Sequence, residues 1–373
     1  MTKVILPPQT IGIIGGGQLG QMLALSAKSM GYHVGILDPT PNSPAGQVSD
    51  FQMLAAYYDQ AALIEFAKQV DVLTYEFENV DLAALKAATQ FTELPQGTEL
   101  LRLTRNRLVE KNNLRSLGIP TVNFIEISAT TIAEQPQAIA QCLPGILKTT
   151  TGGYDGHGQC DVNTLEDIKA AAELYQAAPA ILEKRISFEK EISVMVTIDG
   201  QGTVHIWPVV ENIHANHILQ TTIAPANVSD AVTGKVHQIA QTLAQAFELR
   251  GVLGIEMFVT ANGEVLVNEL APRPHNSGHY SIEAVNVSQF EGHIRSIAGL
   301  PIAALTLQQP ALMHNLLGDQ LVQARTQLSH HPEWHFHDYG KAEIRPSRKL
   351  GHYTVLGNTN INQNLTWLAE NKE

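Results

Sequence analysis

Through the first hundred residues, apolar runs alternate with segments whose apolar positions recur at every third or fourth place, the pattern of strands joined by helices. Residues 10–20, TIGIIGGGQLG, are an apolar run that breaks into glycines; a helix is predicted from there to about Met30, then a strand over HVGILDP. A helix over 59–69, a strand over VDVLTYEFE and a helix over 81–89 continue the alternation to Pro95-Gln96-Gly97, and a first domain closes near Arg105. Past Gly118-Ile119-Pro120 come strands without long helices between them: TVNFIEI, PGILKTT, APAILEKRI, KEISVMVTIDG and VHIWPVV. That pattern reads as an antiparallel α+β region. A small unit begins at Ala311, and its last strands are expected to carry HDYGKAEIRPSRKLGHYTV. The predicted division is 1–105, 106–300 and 301–373.

The remaining long segment, residues 253–279, LGIEMFVTANGEVLVNELAPRPHNSGH, reads as a β-hairpin running into a polar loop. Asn262-Gly263 is the pair that best tolerates a two-residue type I′ turn, which would set Ala261 opposite Glu264. Antiparallel pairing keeps the sum of partner numbers constant, so Glu256 would face Glu269 among apolar neighbours. Two carboxylates about 4 Å apart repel by roughly 4 kcal/mol at an effective dielectric near 20. A cation between them would relieve this. Mg²⁺ is the natural choice, since it binds through one or two carboxylates plus substrate phosphates, and it brings a nucleotide with it. A solvated glutamate, or a Lys or Arg shared by the pair, is the plainer alternative. The polar residues crowded beside it, Asn268, Arg273, His275 and Asn276, favour a site.

Composition narrows the field. The chain has 373 residues, 44% of them hydrophobic, enough for two or three domains. A formal charge of −12 argues against a nucleic-acid partner and makes any basic cluster informative. MTKVILPPQT has no signal-type apolar region and no run approaches a membrane span, so no membrane partner and a cytoplasmic setting are expected. Cys142 and Cys160 match no disulfide or zinc spacing.

Several segments carry candidate chemistry. Gly15, Gly17 and Gly20 have the GxGxxG spacing, with Asp38 where a dinucleotide fold places its ribose-binding acid; the same turn serves any phosphate at a helix N-terminus, or nothing at all. Glu76 and Glu78 share a face at the carboxyl end of a strand. Arg102, Arg105, Arg107 and Lys111 read as one basic helix, by default a solvated face. Lys148 closes a strand before TTTGGYDGHGQ, too glycine-rich for helix or strand and suited as a phosphate flap, although not a Walker A. Glu183 and Glu191 flank a strand junction where they could hold a ribose or a purine amino group. Lys341, Arg345, Arg348 and Lys349, with His352 close behind if protonated, form a basic cluster suited to phosphate.

The order of these parts resembles the ATP-grasp superfamily. GGGQLG, YEFENV, GGYDGHGQ, EKRISFEKEISV, NELAPRPHNSGH and YGKAEIRPSRKLGH together are similar to the 5-(carboxyamino)imidazole ribonucleotide synthetases of purine biosynthesis, over nearly the whole chain. The resemblance implies an α/β and α+β ATP-grasp fold with an N-terminal Rossmann-like (pre-ATP-grasp) domain and a small C-terminal β-rich domain. It implies a ligase that uses ATP and bicarbonate to carboxylate 5-aminoimidazole ribonucleotide through carboxyphosphate. Arg107, Lys148, Gly153, Tyr154, Asp155, Gly156, His157, Gly158, Gln159, Glu183, Lys184, Arg185, Ile186, Glu191, His214, Asn268 and Glu269 would then bind ATP. Glu256 and Glu269 would hold Mg²⁺, or Mn²⁺ in its place, with neither NAD nor biotin. Gln18, Leu19, Glu76, Tyr154, Asp155, Arg273, His275, Asn276, Lys341, Arg345 and Arg348 would surround the ribonucleotide, and Asp155, His157, Arg273 and Lys341 would be catalytic. A homodimer is the family expectation. His157 departs from the family, which usually carries Lys or Arg there. The rivals are an oxidoreductase built on the glycine turn, a non-catalytic nucleotide-binding regulator, and a sister ligase acting on glycinamide ribonucleotide or a biotin carrier; RPSRKLGH argues against the last.

Overall fold

A computed structural model describes residues 3–152 and 158–370. The N-terminal alternation becomes β1 (Thr10–Ile14), α1 (Gln18–Ser29), β2 (His33–Leu37), β3 (Phe51–Met53), α2 (Gln60–Ala67), β4 (Val72–Tyr75) and α3 (Leu82–Ala88). Helix starts are written in side chains: Asp59 accepts from the Ala62 amide at 3.1 Å and Asp81 from Ala84 at 2.8 Å, filling donors that a helix end leaves open. The four strands make a parallel sheet ordered β3-β2-β1-β4. Ile11, Ile13, Ile36 and Val72 are fully buried in it. The carboxyl ends of β1 and β4 therefore present Gly15 and Glu76 side by side.

The basic stretch forms two helices rather than one, α4 (Glu99–Thr104) and α5 (Arg107–Ser116). The break is Asn106, whose side chain caps α5 by accepting from Leu108 and Val109. Next come β5 (Phe124–Ile127), α6 (Ala129–Glu134), α7 (Pro136–Gln141), β6 (Gly145–Thr149), β7 (Gln159–Val162), α8 (Leu165–Ala170) and β8 (Ala180–Lys184). Their strands form an antiparallel sheet ordered β5-β8-β6-β7.

The largest sheet takes β9 (Lys190–Ile198), β10 (Val204–Ile206), β11 (Val210–Ala215), β12 (Ile218–Ala224), β13 (Leu253–Val259) and β14 (Val265–Ala271), with α9 (Asp230–Ala246) between β12 and β13. VHIWPVV is thus two strands: Pro208 has no N–H for a ladder, and Trp207 turns inward, fully buried, with Nε1 donating to Val287 O at 2.9 Å. After α10 (Ser281–Ala284) and α11 (Gln289–Ile297), the chain continues the same sheet with β15 (Ala311–Leu317), which pairs with β12. Then α12 (Gln320–Gln327), β16 (His335–Asp338), β17 (Lys349–Leu356) and α13 (Asn358–Glu370) complete it, in the order β14-β13-β9-β11-β12-β15-β17-β16 with β10 on β9. Most of the basic cluster is not strand: Lys341, Arg345 and Arg348 lie in the connection between β16 and β17, and Lys349 opens β17.

The hairpin differs in its turn but not in its outcome. Thr260, not Ala261, pairs with Glu264, through an amide-to-carbonyl bond of 3.0 Å, so the loop has three residues with Gly263 at φ +73°. That shifts the register by one, and a bulge at Asn268 shifts it back: Met257 faces Val267, whereas Glu256 faces Glu269.

The core joins the parts. α11 packs on α1, with Ile294, Ile297 and Ala298 against the apolar cluster that contains Leu23 and Ala27. Gly292 on the same helix lets Trp207 approach so closely that an added Cβ would run into the indole. Helix propensity alone would favour Gly292→Ala by about 1 kcal/mol. We predict instead a loss of about 1–3 kcal/mol from overpacking, seen as a lower melting temperature; an unchanged or higher one would show that the contact has slack.

Candidate active site

The glycine turn is spoken for by carboxylates. Gly15 has φ +110°, which frees the next two amides: Gly16 N–H donates to Asp38 Oδ2 at 2.6 Å and Gly17 N–H to Glu76 Oε1 at 3.0 Å. Asp38 also accepts from Thr40 N–H at 2.7 Å and from the Tyr57 hydroxyl at 2.5 Å. It is buried and its oxygens are occupied, so it does not offer the ribose-binding acid that the dinucleotide reading needs. Gln18 is half-buried at the turn, but the Leu19 side chain lies in the core and leaves only its backbone to face a substrate.

Glu76 is buried, and burial pushes its carboxyl up to about 7 against the Gly17 amide and the Arg273 and Lys341 cations, which favour its charge. Arg273 also pairs with Glu78 at 2.8 Å, so the two acids of one strand end share a guanidinium. Lys341 is brought to the same place from the far end of the chain. Its Nζ donates to Lys349 O at 2.7 Å, and burial, then Arg348, lower its ammonium to about 8. Arg345 and Arg348 both lie near Glu343, and Arg345 is exposed. His352 does not belong to the basic cluster: it is fully buried, its Nδ1 is 2.9 Å from the Tyr339 hydroxyl, and burial holds it neutral well below the usual histidine range.

A second group lies along the hairpin. Burial, then Glu269, push the Glu256 carboxyl up to about 8, while His214 and Lys349 act the other way. Glu269 itself is exposed. His275 Nδ1 receives the Ser277 N–H at 3.3 Å, so the neutral ring carries its proton on Nε2, 3.2 Å from Glu256 Oε1. Burial keeps that ring uncharged. His214 pairs with Glu191; burial would lower the imidazole, but the Glu191 hydrogen bond and charge raise it above its ordinary value. Asn276 is nine-tenths buried, and neither of its amide atoms has a partner among the described residues.

The third group ends the small sheet. Lys148 Nζ meets Glu183 Oε2 at 2.6 Å and Lys111 Nζ meets Oε1 at 3.6 Å. Burial opposes the Glu183 charge, yet the two ammonium groups outweigh it and hold the carboxyl below its ordinary value. Arg107 donates to Thr149 O at 2.9 Å. Gly158 and Gln159 continue into β7, opposite Lys148; Gly153, Tyr154, Asp155, Gly156 and His157 lie outside the described residues. Lys184 and Arg185 are exposed at the end of β8, Arg185 paired with Asp161, and Ile186 is half-buried.

Lys111, expected on a basic helix with a solvated face, is instead 1% exposed. A signal was present. Val265, Val267 and Leu270 are the inward residues of β14, and the step of three between the last two marks the bulge that Lys111 touches.

Known proteins share this fold. The chain matches the models of a ribonucleotide synthetase preATP-grasp domain over 8–102, an ATP-grasp domain over 112–290 and a phosphoribosylaminoimidazole carboxylase C-terminal domain over 311–363. It is 44% identical over 355 residues to the N5-carboxyaminoimidazole ribonucleotide synthase of Bacillus subtilis (strain 168), covering 95% of this chain and 93% of that one. The protein of the same name from Staphylococcus aureus (strain COL) is 41% identical over 356 residues, covering 95% and 94%. An ADP complex of an N5-carboxyaminoimidazole ribonucleotide synthetase superposes with a TM-score of 0.93 at 45% identity, over 99% of this chain and 98% of that one. The Aspergillus clavatus synthase in complex with ADP and 5-aminoimidazole ribonucleotide gives 0.89 at 34% identity, over 97% and 98%.

The raised Glu76 carboxyl makes a stability prediction for the protein without ligands. Its folded value, about 7, lies above the ordinary 4.5, so its stabilisation is complete below 4.5 and is lost as pH rises through 7. Glu76→Gln keeps an acceptor for Gly17 and has no proton to lose. The melting temperature of the variant relative to the original protein should therefore climb between pH 5 and 8, by the equivalent of roughly 2–3 kcal/mol. Parallel melting curves across that range would contradict the assigned burial.

Proposed function

The chain belongs to the family of N5-carboxyaminoimidazole ribonucleotide synthases, ATP-dependent ligases that carboxylate 5-aminoimidazole ribonucleotide in purine biosynthesis, and from that premise we propose how its cleft does so. Bicarbonate attacks the γ-phosphorus of ATP, and ADP leaves. The resulting carboxyphosphate loses phosphate as its carboxyl carbon passes to the exocyclic amine, which gives up a proton as the C–N bond forms.

The observation that carries this reading is the pair Glu256 and Glu269, facing each other on one side of the hairpin with Glu256 driven toward its neutral form. Such a pair fits a divalent cation, and these two residues would hold Mg²⁺ or Mn²⁺ beside the phosphates. When bound, the ion neutralises charge on the phosphate oxygens. Arg107, Lys148 and the flap residues Gly153–Gln159 hold the phosphates of ATP, Glu183–Ile186 the base, and Glu191, in partnership with His214, the ribose; Asn268 completes the ATP set. Gln18, the Leu19 backbone, Glu76, Tyr154, His275, Asn276, Arg345 and Arg348 line the ribonucleotide. Arg273 and Lys341, held near Glu76, position the carboxyl donor against the amine, and Asp155 and His157 complete the catalytic set.

The working domain limits are 1–105, 106–300 and 301–373, and the protein acts as a homodimer in the cytoplasm; among the described residues no helix is long and apolar enough to cross a membrane. Neither NAD nor biotin takes part: the saturated Asp38 speaks against the former.

Phosphate release from ATP should depend on both bicarbonate and 5-aminoimidazole ribonucleotide. Glu256→Gln and Glu269→Gln should each fold yet lose at least about a hundredfold of that release, in line with the several kcal/mol a metal contributes to charge stabilisation. Folded variants with ordinary Mg²⁺-dependent turnover would remove both residues from the site.

A further inference from the structure

β14 is an edge strand, and its bulge decides which way Glu269 points. Had the register set by the turn continued, Glu256 would face Asn268, and Glu269 would lie opposite Ile255, which is fully buried. With the bulge, Asn268 and Glu269 both leave the core and Leu270 takes the place beside Ile255. A bulge leaves ladder groups without partners, and α5 supplies them. Lys111 Nζ donates to Asn268 O at 2.6 Å and lies 3.4 Å from Val267 O and 3.0 Å from Thr121 Oγ1. The Thr121 hydroxyl in turn donates to Val267 O at 2.8 Å, and Val267 N–H donates to Pro120 O at 2.8 Å. The residue before it on α5, Glu110, has the Leu270 amide beside its buried carboxyl.

Resting on the metal reading of Glu256 and Glu269, we propose that Lys111 is a positioning residue: its buried ammonium fastens the Asn268 bulge, keeps Glu269 turned toward Glu256, and ties that carboxylate pair to Glu183 of the nucleotide site. Lys111 touches neither metal nor substrate. It acts through a backbone carbonyl on one side and a carboxylate on the other, so it sets the distance between the metal pair and the end of the small sheet. Lys148 remains on Glu183 if Lys111 is replaced, so the nucleotide carboxylate keeps a partner while the bulge loses its own.

Lys111→Met keeps the length of the apolar stem and removes the ammonium. Mn²⁺ binding is read by electron paramagnetic resonance in the presence of ADP, and metal-free ADP binding by calorimetry in EDTA. Loss of an outer partner of a metal ligand typically costs 10–100-fold in metal affinity, so the Mn²⁺ dissociation constant should rise about tenfold or more, with metal-free ADP weakened less than about threefold. A folded variant with the original Mn²⁺ affinity would overturn the proposal, as would equal weakening of Mn²⁺ and metal-free ADP, which marks a merely structural residue. If Lys111→Met does not fold, Thr121→Val removes the hydroxyl that Lys111 shares with Val267: Mn²⁺ binding weakened by about threefold supports the role, and unchanged binding overturns it. Glu256→Gln serves as the reference. Unchanged Mn²⁺ binding in that variant would bring down the metal reading itself rather than the part given to Lys111.

Discussion

Two glutamates that repel each other across β13 and β14 are the constraint around which the cleft is built. Their pairing lies on one face of a strand pair whose other face, carrying Ile255, Met257, Val267 and Leu270, is buried in the core. Among the described residues nothing fully offsets the charge. His275 is neutral and supplies only an N–H to Glu256, while His214 is engaged by Glu191. The surplus is what the proposed divalent cation would satisfy, with the nearby cations proposed to meet phosphate and carboxyl oxygens. The C-terminal unit gains its position from the same sheet. Because β15 pairs with β12, β17 brings Lys349 within electrostatic reach of Glu256, and the connection before it carries Lys341 to Glu76.

The N-terminal turn shows how one backbone motif is put to another use. A glycine turn before a helix attracts anions through open amides, and here the anions are the protein's own. Gly16 and Gly17 are taken by Asp38 and Glu76, so the turn fixes Glu76 at the end of its strand. Burial of Glu76 is the cost of that placement, and its raised carboxyl value records it.

Much of this was legible in the residues. Helix starts followed from Asp59 and Asp81, the alternation of strands and helices from the spacing of apolar runs, and the facing of Glu256 and Glu269 from the hairpin. That last success rested on two departures that cancel, a turn one residue longer than expected and a bulge, because side-chain periodicity reports faces and not the count of residues in a loop. Local pattern also cannot tell a solvated cation from a buried one. Lys111 sits four places after Arg107 on one helix, yet a strand 157 residues away in sequence decides that it is enclosed. The same holds for His352, whose neighbours Tyr339 and His279 are brought by other parts of the chain, and for Asp38, whose oxygens are filled by Gly16, Thr40 and Tyr57. Resemblance over whole motifs succeeded where composition could not, since it spans such distances at once.

The central claim, that the Glu256–Glu269 pair holds its charge in reserve for a cation, has a direct test in proton counting. Preformed Mg·ADP is titrated into the protein at pH 7 by calorimetry in buffers of differing ionisation enthalpy. With Glu256 near 8 in the free protein, ionisation on metal binding should release close to ~1 proton per site, and the release should shrink as the starting pH is raised past 8. Tight Mg·ADP binding with no net proton release at pH 7 would contradict the account.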